Sequence, residues 1–115
     1  MTTTLHGIPN CDTVKKARSW LDARGVAYRF HDYRKAGVPE AALRGWVARL
    51  GWERLLNRSG TTFRKLSEAE RADLDAERAV ALMLAHPSAI RRPVLVRGET
   101  LLVGFDPDAW TAALA

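Results

Sequence analysis

Cysteine is almost missing from this sequence. Cys11 is the single one in 115 residues, so no disulfide can close within the chain and a four-cysteine zinc site is excluded. That usage fits a reducing compartment, and a cytoplasmic location is expected. Long hydrophobic runs are absent as well. None approaches the roughly 18–20 residues that span a bilayer, so no membrane partner is expected. The opening Met-Thr-Thr-Thr-Leu-His has neither the basic n-region nor the apolar h-region of a secretory signal. Aromatic residues make up only 8%, and the Lys and Arg residues are spread from Lys15 to Arg97 without a dense block. A nucleic-acid footprint is usually more clustered, so nucleic acid is not expected as a partner. The net charge of +5 still favours smaller anionic partners such as oxyanions and acidic peptides. His6, His31 and His86 have no metal-ligand spacing, and no metal site is expected. Nothing in the chain signals oligomer formation, so a monomer is expected.

What is present is the composition of an ordinary globular domain, 47% apolar and 27% charged. At this length the chain is expected to form one domain, residues 1–115, around one core. Thr3 to His6 reads as a short strand that enters the loop Gly7-Ile8-Pro9-Asn10. A helix is expected from about Thr13 to Arg24, because Val14, Ala17, Trp20 and Leu21 recur at helical spacing on one face. Gly25 suits the position just past its end. Val26 to Tyr33 alternates like a half-buried strand, with Val26, Tyr28 and Phe30 on one side. In the middle, Pro39 suits a first helical position, Leu43, Trp46, Val47 and Leu50 form a stripe, and Gly51 ends it. Trp52 to Asn57 reads as a short helix, Ser59 to Thr62 as a loop, and Ser67 with Glu70 as a capping box. Another helix runs from about Asp75 to Ala85 and stops before Pro87. Pro93-Val94-Leu95-Val96 and Leu101-Leu102-Val103 then flank a turn, as in a hairpin. Asp106-Pro107 opens a terminal helix through Trp110. The order is β-α-β, a helical stretch, then β-β-α. That is an α/β, thioredoxin-like (glutaredoxin-like) βαβ–ββα fold, with a helical subdomain inserted at about residues 38–88.

Cys11 falls where the first loop enters the first helix. A thiol is a nucleophile only as thiolate, and with an ordinary pKa of about 8.5 only about 3% is ionised at pH 7. The unsatisfied N–H groups and the positive dipole end of a helix N-terminus favour the anion, by roughly 0.3–2 kcal/mol. The neighbours Asn10, Asp12 and Thr13 are turn and capping residues rather than core residues, and Lys15 stands one turn on. Together they mark Cys11 as a reactive thiol. The position three residues later is Val14, so there is no Cys-x-x-Cys pair. A covalent intermediate on Cys11 must be resolved by an external thiol, such as glutathione or a glutaredoxin. Arg91-Arg92-Pro93 is the second candidate stretch. The residue before a proline is held extended, the X–Pro bond can be cis, and the guanidinium fork of Arg92 suits carboxylates and oxyanions. A basic loop from Arg58 through Thr62 to Arg64 is a third contributor, and His6 is a candidate to approach Cys11 from the end of its strand.

These stretches carry a resemblance. Gly7-Ile8-Pro9-Asn10-Cys11-Asp12-Thr13 with Lys15-Lys16-Ala17, then Phe30-His31-Asp32-Tyr33-Arg34, Leu55-Leu56-Asn57, Gly60-Thr61-Thr62, Arg64-Lys65-Leu66 and Arg92-Pro93, resemble the glutaredoxin-dependent arsenate reductase (ArsC) family. Within it they are most similar to the YffB-like branch, relatives of the Spx regulators. The resemblance implies a thioredoxin-like fold with a helical insert and a cysteine nucleophile. In arsenate-reducing members the cysteine attacks arsenate, three arginines hold the oxyanion and glutathione reduces the adduct. Carried onto this sequence, Cys11 and Arg92 match. The second arginine position holds Asn57, beside Arg58, and the third falls at about Gly104. Gly7 and Ile8 replace a histidine and an asparagine. The expected activity is therefore a glutathione-dependent thiol reductase acting on a small-molecule or protein disulfide. Glutathione is its co-substrate, and no tightly bound cofactor is expected. Cys11 is catalytic, and Arg92, Arg64, Arg58, Asn10, Thr13, Pro93 and Lys15 bind substrate. Arsenate reduction and Spx-like binding of RNA polymerase are the alternatives.

Overall fold

The computed structural model describes residues 2–115, which divide into two compact units, residues 2–37 with 92–115, and Val38–Arg91. The first unit is built on a four-stranded sheet in the order β2-β1-β3-β4. Its strands are β1 (Thr3–Gly7), β2 (Arg29–Asp32), β3 (Val94–Arg97) and β4 (Thr100–Val103). β1 runs parallel to β2, while the β1–β3 and β3–β4 pairs are antiparallel. Helix α1 (Asp12–Ala23) links β1 to β2, and the terminal helix α8 (Pro107–Ala113) follows β4. A βαβ unit followed by a ββα unit on one mixed sheet is the thioredoxin-like arrangement.

Leu5, Leu95, Ala17 and Leu21 form a fully buried cluster with Trp110 of α8. Burying each large side chain of this kind stabilises the fold by roughly 1.5–3 kcal/mol. Trp110 meets Trp20 and Phe105 edge-on, with ring centroids 5.9 and 5.0 Å away, and its Nε1 donates to Gly104 O at 3.1 Å. Its one polar atom is thus satisfied inside an apolar cluster.

The sequence patterns place most elements and misjudge several boundaries. Helix α1 starts at Asp12 and ends at Ala23, and Gly25 has the positive φ (67°) expected past its end. β2 is shorter than the alternation suggests, because the Val26 N–H turns back to Leu21 O at 3.0 Å and closes α1 instead of joining the sheet. At the other end Asp32 accepts from Arg34 N–H at 2.8 Å and starts a helical turn, α2 (Tyr33–Ala36). Tyr33 therefore leaves the strand. Hairpin and terminal helix form as expected: Asp106 accepts from Asp108 and Ala109 N–H, and Pro107 occupies the first turn of α8.

The second unit is helical: α3 (Glu40–Leu50), α4 (Trp52–Leu55), α5 (Thr61–Arg64), α6 (Glu68–Arg71), α7 (Ala76–Ala85) and a 3₁₀ turn at Pro87–Ala89. Pro39 lies at the N-cap of α3 rather than inside it, its carbonyl accepting from Leu43 N–H at 2.9 Å. The expected Trp52–Asn57 helix stops at Leu55, since Leu56 forms a bridge to Ile90 and Asn57 N–H donates to Ala89 O. The expected Ser59–Thr62 loop gives way to α5. The Ser67–Glu70 capping box is formed in both directions. Leu43, Trp46 and Val47 of α3 and Ala79, Val80 and Met83 of α7 are buried. On the surface Arg44 bridges Glu40 and Glu77, 2.9 Å from each.

Candidate active site

Three segments leave the sheet at one end. Gly7, the last residue of β1, pairs with Asp32, the last of β2, and His6 pairs with Val94, the first of β3. The loop to Cys11, the turn that begins at Tyr33 and the Arg92–Pro93 step are thus brought together by strand register. Gly7 is there for closeness: a Cβ on it would lie 3.0 Å from Val14 Cγ2. Any side chain here would press on Val14 in the first turn of α1 and force it to shift.

Cys11 is the N-cap of α1, with extended backbone (φ −142°, ψ 125°). Its carbonyl accepts the first helical hydrogen bond, from Lys15 N–H at 2.9 Å. Its thiol is partly exposed and makes no capping hydrogen bond of ordinary geometry. Partial burial pushes this thiol up, but the Val14 amide, the Arg92 guanidinium and the Thr13 amide act the other way, and the net shift is downward. The amides contribute aligned dipoles, and Arg92 contributes both a donor and a full charge. More thiolate is therefore present at neutral pH than in an ordinary cysteine.

Arg92 is half-buried, and Pro93 is buried. The Arg92–Pro93 peptide bond is cis. Gly104 N–H donates to Pro93 O at 2.8 Å, tying the step to the end of β4. Gly104 itself has φ +77°, a left-handed backbone that glycine adopts freely and arginine resists. Asn10, Thr13 and Lys15 are exposed around Cys11 in sequence; of these, Thr13 acts on the sulfur through its amide. Arg58 and Arg64 belong to the second unit, where both are exposed. The Arg58 guanidinium stands 5.2 Å from the Trp52 ring centroid. Asn57 closes a local turn, its Oδ1 accepting from Ser59 N–H and Oγ–H.

His6 is buried, 5.0 Å from the His31 ring and 6.2 Å from the Tyr33 ring. Burial, helped by the neighbouring His31, lowers its pKa to about 4, so it is neutral near pH 7. Its described ring contacts are with these two residues. Tyr33 escaped the sequence reading, which placed it at the end of a strand. The signal that would have found it is Asp32, an acceptor able to turn the chain back at the next residue. Among the described residues no cluster of three or more His, Cys, Asp or Glu side chains can hold a metal ion, and no helix is long and apolar enough to cross a membrane.

A model of the ArsC family matches residues 6–113. The chain belongs to the ArsC family. Among solved structures it is similar to the YffB protein, with 60% sequence identity, a TM-score of 0.96, and coverage of 99% of this chain and 100% of that one. It is similar to an arsenate reductase (ArsC) related protein from Brucella melitensis, at 51% identity and a TM-score of 0.78, over 99% and 95% of the two chains. It is also similar to the global transcriptional regulator Spx of Streptococcus mutans, at 26% identity over 113 residues, covering 96% of this chain and 82% of the regulator. This member of the family thus has relatives named for arsenate reduction and relatives named for transcriptional control.

Proposed function

We propose that this ArsC-family protein is a glutathione-dependent thiol reductase with Cys11 as its single nucleophile. The observation that carries the reading is the place of Cys11 at the N-cap of α1, where the Val14 and Thr13 amides and the Arg92 guanidinium favour its thiolate. The Cys11 thiolate attacks the glutathione sulfur of a mixed disulfide. A new S–S bond forms on Cys11, and the substrate sulfur leaves as thiolate and takes a proton from water. A second glutathione thiolate then attacks the glutathione sulfur held on Cys11, releasing oxidised glutathione and the Cys11 thiolate. The mixed disulfide is reduced to the substrate thiol, its glutathionyl group and one glutathione thiol leave together as oxidised glutathione, and the enzyme ends as it began. Arg92 holds a carboxylate of glutathione. Glutathione is a co-substrate rather than a resident cofactor, a glutaredoxin can take its place, and the protein works as a monomer in a reducing cytoplasm.

Mass spectrometry after incubation with oxidised glutathione tests this. The wild type gains one glutathionyl group and Cys11→Ser gains none. An unmodified wild type, with an alkylation pKa at or above the ordinary thiol value of about 8.5, overturns the proposal.

Arsenate reduction is the second reading, favoured by the name of the Brucella melitensis relative. Arsenate-dependent oxidation of NADPH in a glutathione-coupled assay would establish it. Against it stand Asn57 and the left-handed Gly104 at two expected arginine positions. An Spx-like role would appear as retention of RNA polymerase subunits that survives Cys11→Ser.

A further inference from the structure

Tyr33 is 2% exposed, yet its hydroxyl has no hydrogen-bond partner. Its ring is fixed from two sides. It stacks on His6 at 6.2 Å and 30°, and it meets His31 edge-on at 5.9 Å. The Asp32 cap holds its backbone. A phenylalanine would make the same ring contacts without stranding a buried oxygen, so the hydroxyl adds nothing to this packing and is free to serve a ligand.

Strand register places the phenol near a cation. Tyr33 directly follows Asp32, which lies across from Gly7, and Arg92 stands two residues before Val94, which lies across from His6. Both residues therefore flank the strand end that leads to Cys11. The Arg92 charge is felt at the phenol as well as at the Cys11 sulfur. Burial pushes the phenol well above its usual range and Arg92 pulls it back only in part, so the hydroxyl stays a donor.

We infer that the Tyr33 hydroxyl is a second hydrogen-bond donor of an anion subsite centred on Arg92, donating to one oxygen of a carboxylate or tetrahedral oxyanion seated on the guanidinium. This deepens the reading of the site as one that binds glutathione. In the inorganic form of the ligand it stands independently of glutathione chemistry.

The test follows the rate at which iodoacetamide alkylates Cys11 at pH 7 in the full chain. Sulfate is titrated in one arm and S-methylglutathione, which has carboxylates but no free thiol, in the other. The wild type is protected saturably. Tyr33→Phe melts at or above the wild-type temperature but needs at least about fivefold more of the protecting anion. Sulfate alone protecting identifies an oxyanion site, and S-methylglutathione alone protecting identifies a carboxylate site. Both support the inference when Tyr33→Phe weakens them. Unchanged protection in Tyr33→Phe, or no protection of the wild type in either arm, overturns it. A substitution-free measurement is 3-fluorotyrosine labelling, which marks Tyr28 and Tyr33. The Tyr33 fluorine resonance moves on anion saturation while that of Tyr28 stays, and a stationary Tyr33 signal overturns the inference. If the anion subsite is present but oxidised glutathione forms no adduct, the thiol-reductase reading alone fails.

Discussion

Two helix N-termini of the first unit make opposite use of the same physics. At α8 the polar groups are paired locally: Asp106 accepts from two amides at 3.1 and 3.4 Å, Trp110 donates to Gly104 O, and Thr111 Oγ donates to Pro107 O. At α1 the cap is a thiol without a capping hydrogen bond, and a buried phenol nearby keeps its hydroxyl unmatched. An oxygen cap typically stabilises a helix by about 1 kcal/mol. A cysteine in that position gives up stabilisation and leaves the amide dipoles to favour a sulfur anion instead. The difference separates a terminus built for stability from one held open for chemistry.

The largest effect that sharpens this contrast comes from His6, at the open end. Its folded pKa of about 4 lies below its ordinary 6.5, so the unfolded chain takes up the proton first as pH falls. Stability is then full above about pH 6.5 and declines toward pH 4, by roughly 2–3 kcal/mol at pH 4.5. Urea midpoints at pH 7 and 4.5 should show this loss in the wild type and most of it removed in His6→Gln. Next is Arg92→Leu. Without the guanidinium the thiol pKa rises, and alkylation at pH 7 slows severalfold. An unchanged rate would mean that the helix amides alone set the thiolate.

Asp106→Ala probes the other terminus. It should lower stability by about 1 kcal/mol, a melting shift of a few degrees, with no change in the Cys11 alkylation profile. A coupled change in thiol reactivity would break the separation between the two ends. The smallest effect is in Cys11→Ser. Serine is the better neutral cap, so at pH 6 the variant should be more stable by about 0.5–1 kcal/mol. The wild-type thiolate contribution is fully present above the unfolded pKa and is lost as pH falls through the lower folded value. The serine advantage should therefore shrink at pH 9, which paired thermal melts at the two pH values would show.

Much of the fold was legible because its signals are local. Val14, Ala17 and Leu21 mark the buried stripe of α1, Asp106-Pro107 and the Ser67–Glu70 box mark helix starts, and all of these act within four residues. The four-residue turns α2 and α5 were missed for the complementary reason: a single turn is too short to display a period. β2 was drawn too long because alternation at Val26 and Tyr28 matches a strand, while the hydrogen bond from Val26 to Leu21 was invisible in the pattern. Of the site, the cysteine and the Arg-Pro step could be read directly. Tyr33 could not, since its importance rests on a burial and an unmatched hydroxyl that no spacing reveals.

The sequence by itself determined the chemistry available: one thiol with no internal resolving partner, a helix starting at that thiol, and an arginine fixed beside a proline. Tertiary structure decided whether these groups meet. Strand register brings Gly7, Asp32 and Val94 to one end of the sheet, so residues far apart in the chain share one electrostatic environment. Interactions between a thiolate, a guanidinium and a buried phenol fall off steeply with distance, and distance is a property of the folded sheet rather than of the chain.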